Sequence, residues 1–429
     1  MKTNFFIPSM WMVVAMVILG AMVNSAKAGG NFLTKAQQPD TTSFAQFKGT
    51  IVDSQTNEPL VFATLNISNS NIGTVCNSDG EFLLKVPKSM FDQKITVSYT
   101  GYKSKEFTVL ELKERNRIKL DQVSVSLAEI NVFPKDPNYL IRAVMGKRVE
   151  NYSNSPALMT AFYRETIKKG RTYVSLSEAV VEVLKQSYAG ARPDMVKLFK
   201  GRKSADYTKL DTLTFKLMGG PYATLMLDMM KNPYLIFTND ILSYYDFSLT
   251  NITRIDDKLV YVLDFKQKAI VDEPLFFGKL FIDSESLAMT SASFNLNVDN
   301  KAQAAEMMIR KKPVGADVYP TEATYLVNYR EKDGKWYYSY SRGQINFKVK
   351  WDKKLFNTSY YTTIEMAVTD WENVDEKSLP ASERLKQNVI MENELSGFAD
   401  PAFWGEYNVI EPEQPIEAAI KKIQKKIEK

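Results

Sequence analysis

The chain of 429 residues has no histidine and a single cysteine, Cys76. Without histidine there is no Ser-His-Asp triad, no His-bearing zinc site and no imidazole general acid or base. One cysteine excludes an internal disulfide and every multi-cysteine metal or iron–sulfur site. A thiolate nucleophile needs a base or a cation beside it, and the usual base is missing everywhere. Lysine-assisted serine chemistry, carboxylate-pair hydrolysis and oxygen-ligated calcium survive this filter. Charge of one sign is also scarce. The formal +5 falls to +3 once Lys2 and Lys27 leave with the leader described below. No basic cluster with interleaved aromatics appears, so nucleic acid is not an expected partner.

What is present is an aromatic-rich chain, with 24 Phe and 22 Tyr in an otherwise ordinary globular composition. Aromatic side chains favour strands, which points to a mainly β protein. Residues 1–28 read MKTNFFIPSMWMVVAMVILGAMVNSAKA, with Lys2, an apolar run from Met10 to Val23 and a small-x-small site at Ala26-Lys27-Ala28. This is the layout of a secretory signal peptide. The run is short for a bilayer span, which needs about 20 residues. Export without a disulfide suggests a bacterial envelope, either the periplasm or the outer membrane.

Residues 29–46 form a polar linker, and 47–125 change character. "FKGTIVD", "VFATLNIS", "GTVCNSDGEFLLKV", "KITVSYTGY" and "KEFTV" alternate near period two between turn signals such as "SQTNEP" and "NSDG". Short strands at this spacing predict a small antiparallel β-sandwich. The stretch "FKGTIVDSQTNEPLVFATLNISNSNIGTVCNSDGEFLLKVP", followed by "ITVSYTGYKSKEFTV", resembles the carboxypeptidase-regulatory-like domain. The resemblance implies a seven-stranded, transthyretin-like (prealbumin-like) sandwich without catalytic residues, despite the name. That module also precedes the plug of many TonB-dependent receptors that import glycans. Asn57 stands where the family commonly has glycine, and asparagine tolerates a left-handed turn. Cys76 falls between Gly73 and the Asn77–Gly80 turn, as a small half-buried strand residue. A calcium site on Asp79 and Asp53 would need more oxygens than these two supply.

Residues 126–156 hold a linker and a helix with Asp136 as its N-cap, Pro137 in its first turn and an apolar stripe of Leu140, Ile141, Val144, Met145 and Val149. Residues 157–376 read as long antiparallel strands with hairpin turns at "IDDK", "DSES" and "KDGK". Two helical insertions are expected, Tyr222 to Met230 and Lys301 to Arg310, the first as a plug across the open end of the sheet. "YVLDF…GKLFIDSESLAMTSASF" resembles the LolA/LolB-like half-barrels of lipoprotein carriers. The whole chain resembles exported Gram-negative proteins that join the regulatory-like domain to a β-rich region. Residues 377–429 form a C-terminal extension ending in an amphipathic helix. Ile416, Ala419, Ile420, Ile423 and Ile427 lie on its apolar face, with Lys421, Lys422, Lys425 and Lys426 opposite.

The expected architecture is therefore the sandwich followed by a large antiparallel sheet or LolA-like half-barrel with a few helices. No cofactor, metal or catalytic residue is assigned. Trp336, Tyr338 and Tyr340, on one face by alternation, together with Met226 and Met230, are the candidate ligand-binding residues. The expected function is non-enzymatic binding or assembly in the envelope. The partner would be an envelope protein or a lipid or glycan ligand. The C-terminal helix is expected to dock on the domain, with binding of a partner or peripheral contact with an anionic membrane as its alternatives. The rival reading is a histidine-free glycan hydrolase using carboxylates such as Glu165, Glu178 and Asp264.

Overall fold

A computed structural model of the chain describes residues 16–20, 43–123, 136–205, 214–255, 258–312, 314–352, 355–375, 378–396, 403–413 and 416. The linker that follows the sandwich and the C-terminal helix beyond Ile416 lie outside these residues, as does the leader apart from Met16–Gly20.

The N-terminal unit has seven strands: β2 (Phe44–Asp53), β3 (Thr64–Ile67), β4 (Gly73–Val75), β5 (Glu81–Pro87), β6 (Lys94–Ser98), β7 (Lys105–Thr108) and β8 (Arg115–Leu120). They form one sheet in the order β5-β2-β8 and a second in the order β4-β3-β6-β7. The pairing of β2 with β8 is parallel, so the all-antiparallel expectation fails at this one pair. Alternate apolar residues of both sheets fill the space between them, among them Ile51, Leu65, Phe82, Leu84, Ile95 and Val97. Cys76 sits in this core just past the end of β4, its backbone N–H donating to Ala63. The Asp53 carboxylate accepts from the N–H groups of Gln55 and Thr56 at 2.7 and 2.8 Å and from the Tyr102 hydroxyl at 2.8 Å. It closes the turn in which Asn57 adopts φ 59°.

α1 (Pro137–Gly146) starts as the Asp136-Pro137 pair predicts: Asp136 accepts from the Asn138 N–H at 2.9 Å, and Leu140, Ile141 and Val144 are buried. After α2 (Arg148–Asn151), ten strands build one sheet in the order β11-β10-β9-β20-β19-β18-β16-β15-β14-β13. They are β9 (Ala157–Lys169), β10 (Thr172–Lys185), β11 (Met195–Ala205), β13 (Tyr245–Ile255), β14 (Lys258–Gln267), β15 (Phe276–Asp283), β16 (Met289–Leu296), β18 (Ala316–Lys332), β19 (Lys335–Trp351) and β20 (Thr358–Asn373). Every pairing in this sheet is antiparallel. A separate three-stranded sheet sets β12 (Thr214–Met218) and β17 (Ile309–Lys311) on either side of β1 (Met16–Gly20), a stretch of the predicted leader. Cleavage after Ala28 would bare both neighbours.

The inner face of the large sheet is packed solid. α1 and α3 (Pro221–Leu225) cover it, with Met229, Met230, Ile236 and Phe237 in the same core as Tyr163, Val181 and Phe294. The expected helix from Tyr222 to Met230 is only one turn long, and the chain then breaks into turns held by the Asp228 side chain. After α4 (Asn239–Leu242), α5 (Lys301–Met308) is capped by Asn300. It stops two residues short of the expected end, where Ile309 enters β17.

On the outer face the sandwich and residues 403–413 meet the sheet through Val75, Leu83, Phe162, Tyr340, Trp404 and Ile410. Beneath them runs a buried chain of charges: Arg164 pairs with Glu178 and Glu365, Arg202 with Glu178, and Arg342 with Glu365.

Candidate functional site

Glycines 219 and 220 have φ of 105° and 50°, a backbone that only glycine adopts without strain, and they turn the chain off β12 into Pro221 and α3. Residues 221–232 are then pinned to the inner face by a buried polar cluster. Asp228 accepts from the hydroxyls of Tyr188 and Tyr329 at 2.8 and 2.9 Å, and Lys185 Nζ bridges Asp228 and Asp194 at 2.7 and 2.6 Å. The Ser341 hydroxyl donates to the Thr224 carbonyl at 3.0 Å, anchoring the helical turn on β19. All three ions are largely withdrawn from water, which is sustainable only because each is paired.

This anchoring leaves a cavity of about 780 Å³ along the exposed side of the segment. It is lined by Tyr222, Leu225, Met226 and Tyr234, by residues 189–194 and by Met218, Gln387 and Asn388. The basic side chains of Arg148, Arg192, Lys231 and Arg310 line it. Asp194 is the one carboxylate among the lining residues, and Lys185 already holds it. Arg148 donates to the Met230 carbonyl at 2.8 Å, and Lys231 to those of Ser187 and Gly190 at 2.5 and 3.1 Å. Burial lowers the Lys231 pKa from the ordinary lysine value. The cavity is therefore lined by apolar, aromatic and thioether side chains together with four cationic ones.

Only one of the five predicted ligand residues, Met226, lines this cavity. Met230, four residues on, is fully buried in the inner core. Trp336 and Tyr340 line a second cavity, of about 730 Å³, between the sandwich and the outer face. Tyr338 is buried in the inner core with its hydroxyl 2.6 Å from that of Ser341. Simple alternation along β19 fails because the ladder with β18 shifts register between Tyr338 and Tyr340, so that Ser339 bulges and the two tyrosines face opposite sides. The inter-domain cavity is lined by Thr64, Asn66, Thr74, Ser98, Ser291 and Ser293 with Phe62, whose φ of 64° is strained for a bulky residue. Across it Phe62 meets Tyr340, ring centroids 5.6 Å apart.

The carboxylates of the rival hydrolase reading are not brought together. Glu178 stands opposite Arg164 on β9, Glu165 opposite Ser177 on β10, and the pleat puts the two carboxylates on opposite faces. Glu178 is neutralised by two arginines, which hold it below the usual carboxylate range against the cost of its burial. Glu165 accepts from the Tyr163 hydroxyl at 2.8 Å, and burial pushes its pKa up to about 7, with nearby Glu392 adding to the shift. Asp264 pairs with Lys279 at the surface. Among the described residues there is no cluster of three or more potential metal-ligating Cys, Asp or Glu side chains.

The molecule is thus a two-part, mainly β protein, and its first part has a family: residues 47–132 match the CarboxypepD_reg-like domain. No curated protein sequence matches the chain. Among solved structures, a DUF1329 family protein from Desulfovibrio piger is 12% identical, covering 58% of this chain and 97% of its own at a TM-score of 0.24. A structure of lipovitellin describing lipid–protein interactions is 8% identical, covering 59% of this chain and 29% of its own, also at 0.24. At those scores neither supports a functional reading.

Proposed function

We propose that the chain is a non-enzymatic binding protein of the cell envelope, exported by the leader at residues 1–28, that holds an anionic amphiphile in the cavity beside α3. One observation carries this reading: the apolar side chains of Tyr222, Leu225, Met226 and Tyr234 and the basic side chains of Arg148, Arg192, Lys231 and Arg310 line one cavity, with one already paired carboxylate. Apolar pockets with a few converging polar groups are the usual form of small-molecule sites, and methionine adapts to irregular chains. Guanidinium groups match carboxylate or phosphate heads in two-pronged geometry. About 780 Å³ suits a ligand of one or two acyl chains. The sandwich on the opposite face is a mounting module in this reading.

Native mass spectrometry of the chain, purified from its own envelope, tests this. The expected result is an added mass that organic solvent removes and that identifies as an acyl lipid. R192E/R310E, at exposed positions, lowers its occupancy at least about tenfold, the size of two lost charge-assisted contacts. A glycan mass would move attention to the inter-domain cavity. A bare mass would overturn the reading and favour assembly with a protein partner.

A further inference from the structure

The end of the large sheet that carries the β19–β20 loop presents three almost fully exposed apolar side chains: Val314 at 101% of its free-residue exposure, Leu355 at 97% and Phe356 at 84%. They are brought to one place by the ladder. Ala316 pairs with Trp351, and the Asp352 N–H donates to the Gly315 carbonyl at 3.0 Å, so the segment before β18 and the loop after β19 leave the sheet side by side. Water is a poor environment for such side chains, and nothing in the fold of the described residues covers them.

Their surroundings say what does. Lys311 and Lys312 are exposed three and two residues before Val314, and Lys348 and Lys350 are exposed on β19 leading into the loop. The β9–β10 hairpin reaches the same end, since Gly170 donates to the Ser359 carbonyl at 2.9 Å, and it carries exposed Arg171 beside Lys168 and Lys169. Against these stand the carboxylates of Asp317 and Asp352 and, further from the tip, those of Glu322 on β18 and Glu306 on α5. Apolar tips among lysines match a negatively charged bilayer surface, which takes up the side chains among its acyl chains and the ammonium groups among its head groups.

We infer that this end of the sheet docks on an anionic lipid bilayer, inserting Val314, Leu355 and Phe356 among the acyl chains while the surrounding lysines meet the head groups. The surface also adjoins the cavity. Arg310, which lines the cavity, is four residues from Val314, a span of at most about 14 Å for extended chain. A docked molecule would hold this cationic side chain close to the head-group layer. The inference stands on the exposed tip and does not require the cavity to be filled.

Co-sedimentation of the purified chain with vesicles tests it. One set contains phosphatidylglycerol and phosphatidylethanolamine, and the other phosphatidylcholine alone. Binding to the first set, weaker at 0.5 M salt, is expected, with at least tenfold less binding to the second. L355S/F356S alters side chains that touch almost nothing, so its thermal midpoint stays at the wild-type value. Its partitioning falls at least about tenfold, the effect of withholding two apolar side chains from the bilayer. The inference is overturned if L355S/F356S binds anionic vesicles like wild type, or if phosphatidylcholine serves equally well. Truncation after Ile416 removes the other lysine-rich segment. Loss of binding on truncation together with retention in L355S/F356S would likewise overturn it. An extracted acyl lipid that persists in L355S/F356S keeps the cavity reading separate from this one.

Discussion

Two buried groups report on their surroundings through chemistry that can be titrated. Glu165 has a folded pKa near 7, above the ordinary value of 4.5. A carboxyl raised by folding binds more protons in the native state than in the unfolded chain. Its contribution to stability is therefore fully present at low pH and lost as pH rises from about 4.5 to about 7, by up to roughly 3 kcal/mol. Glu165→Gln keeps an oxygen for the Tyr163 hydroxyl and removes the charge. Thermal midpoints of the variant should lose the part of the decline that wild type shows over that interval. Equal slopes would mean that Glu165 does not titrate there. Cys76 is fully buried, and burial pushes its thiol far up, so the thiolate is absent at any ordinary pH. It should resist iodoacetamide in the native protein and react fully once the chain is unfolded in guanidinium, which mass spectrometry distinguishes directly.

At the scale of elements, the turn that follows α3 depends on Asp228 more than on its own helical propensity. Asp228→Asn leaves Lys185 with only Asp194 as a charged partner and weakens the contacts to two tyrosine hydroxyls. A loss of roughly 3 kcal/mol is expected in urea titration, together with loss of whatever the adjoining cavity holds. The same elements show what a sequence can reveal. Six of the seven strands of the sandwich were legible because turn residues separate short blocks of period two, whereas β8 lay in none of those blocks and the count of seven came from the family resemblance. Asp53, Asn57 and Gly80 each occupy a turn that only a few residue types can make. The α1 start was legible from Asp136-Pro137. The faces of Tyr338 and Tyr340 were not, since a bulge at Ser339 is set by how β18 and β19 pair rather than by their composition. Met226 and Met230 share a helical stripe on paper, yet the helix ends at Leu225 and the backbone tightens into turns, one of them closed by the Asp228 carboxylate accepting from the Lys231 N–H. The cationic lining was invisible for a different reason. Arg148, Arg192, Lys231 and Arg310 come from four segments separated by tens of residues, and no local pattern marks residues that meet only through a long-range sheet.

For the whole molecule, the question is what binds the sandwich to the large sheet. Residues 403–413 act as a strap between them. Trp404 lies edge-on to Phe162 of β9 at 5.4 Å, and Arg202 sits over its ring at 4.9 Å. Asn408 completes both backbone hydrogen bonds of Lys85 at the edge of β5, at 2.7 and 3.1 Å, and the Lys85 amino group donates to the carbonyls of Gly405 and Tyr407. Glu411 pairs with Lys48 of β2, and the Arg164 guanidinium donates to the Ile410 carbonyl. A second contact does not use the strap: Arg330 of β18 stacks on Trp371 and reaches Asn66 and the Asn71 carbonyl. It passes so close to Gly73 that a methyl group there would stand 2.7 Å from the guanidinium. Two independent ties of this kind predict cooperative unfolding of the two parts while both are intact. W404A/N408A removes a buried indole, costing about 3–5 kcal/mol, and leaves the Lys85 backbone groups unpaired. Calorimetry should then resolve two transitions where the wild type has one, with the earlier assigned to the smaller unit. Because the strap lies on the outer face and the cavity beside α3 on the inner one, the same variant should retain any ligand that is extracted from the wild type. If ligand is lost along with cooperativity, the two faces of the sheet are coupled, and the sandwich is part of the binding device rather than its mount.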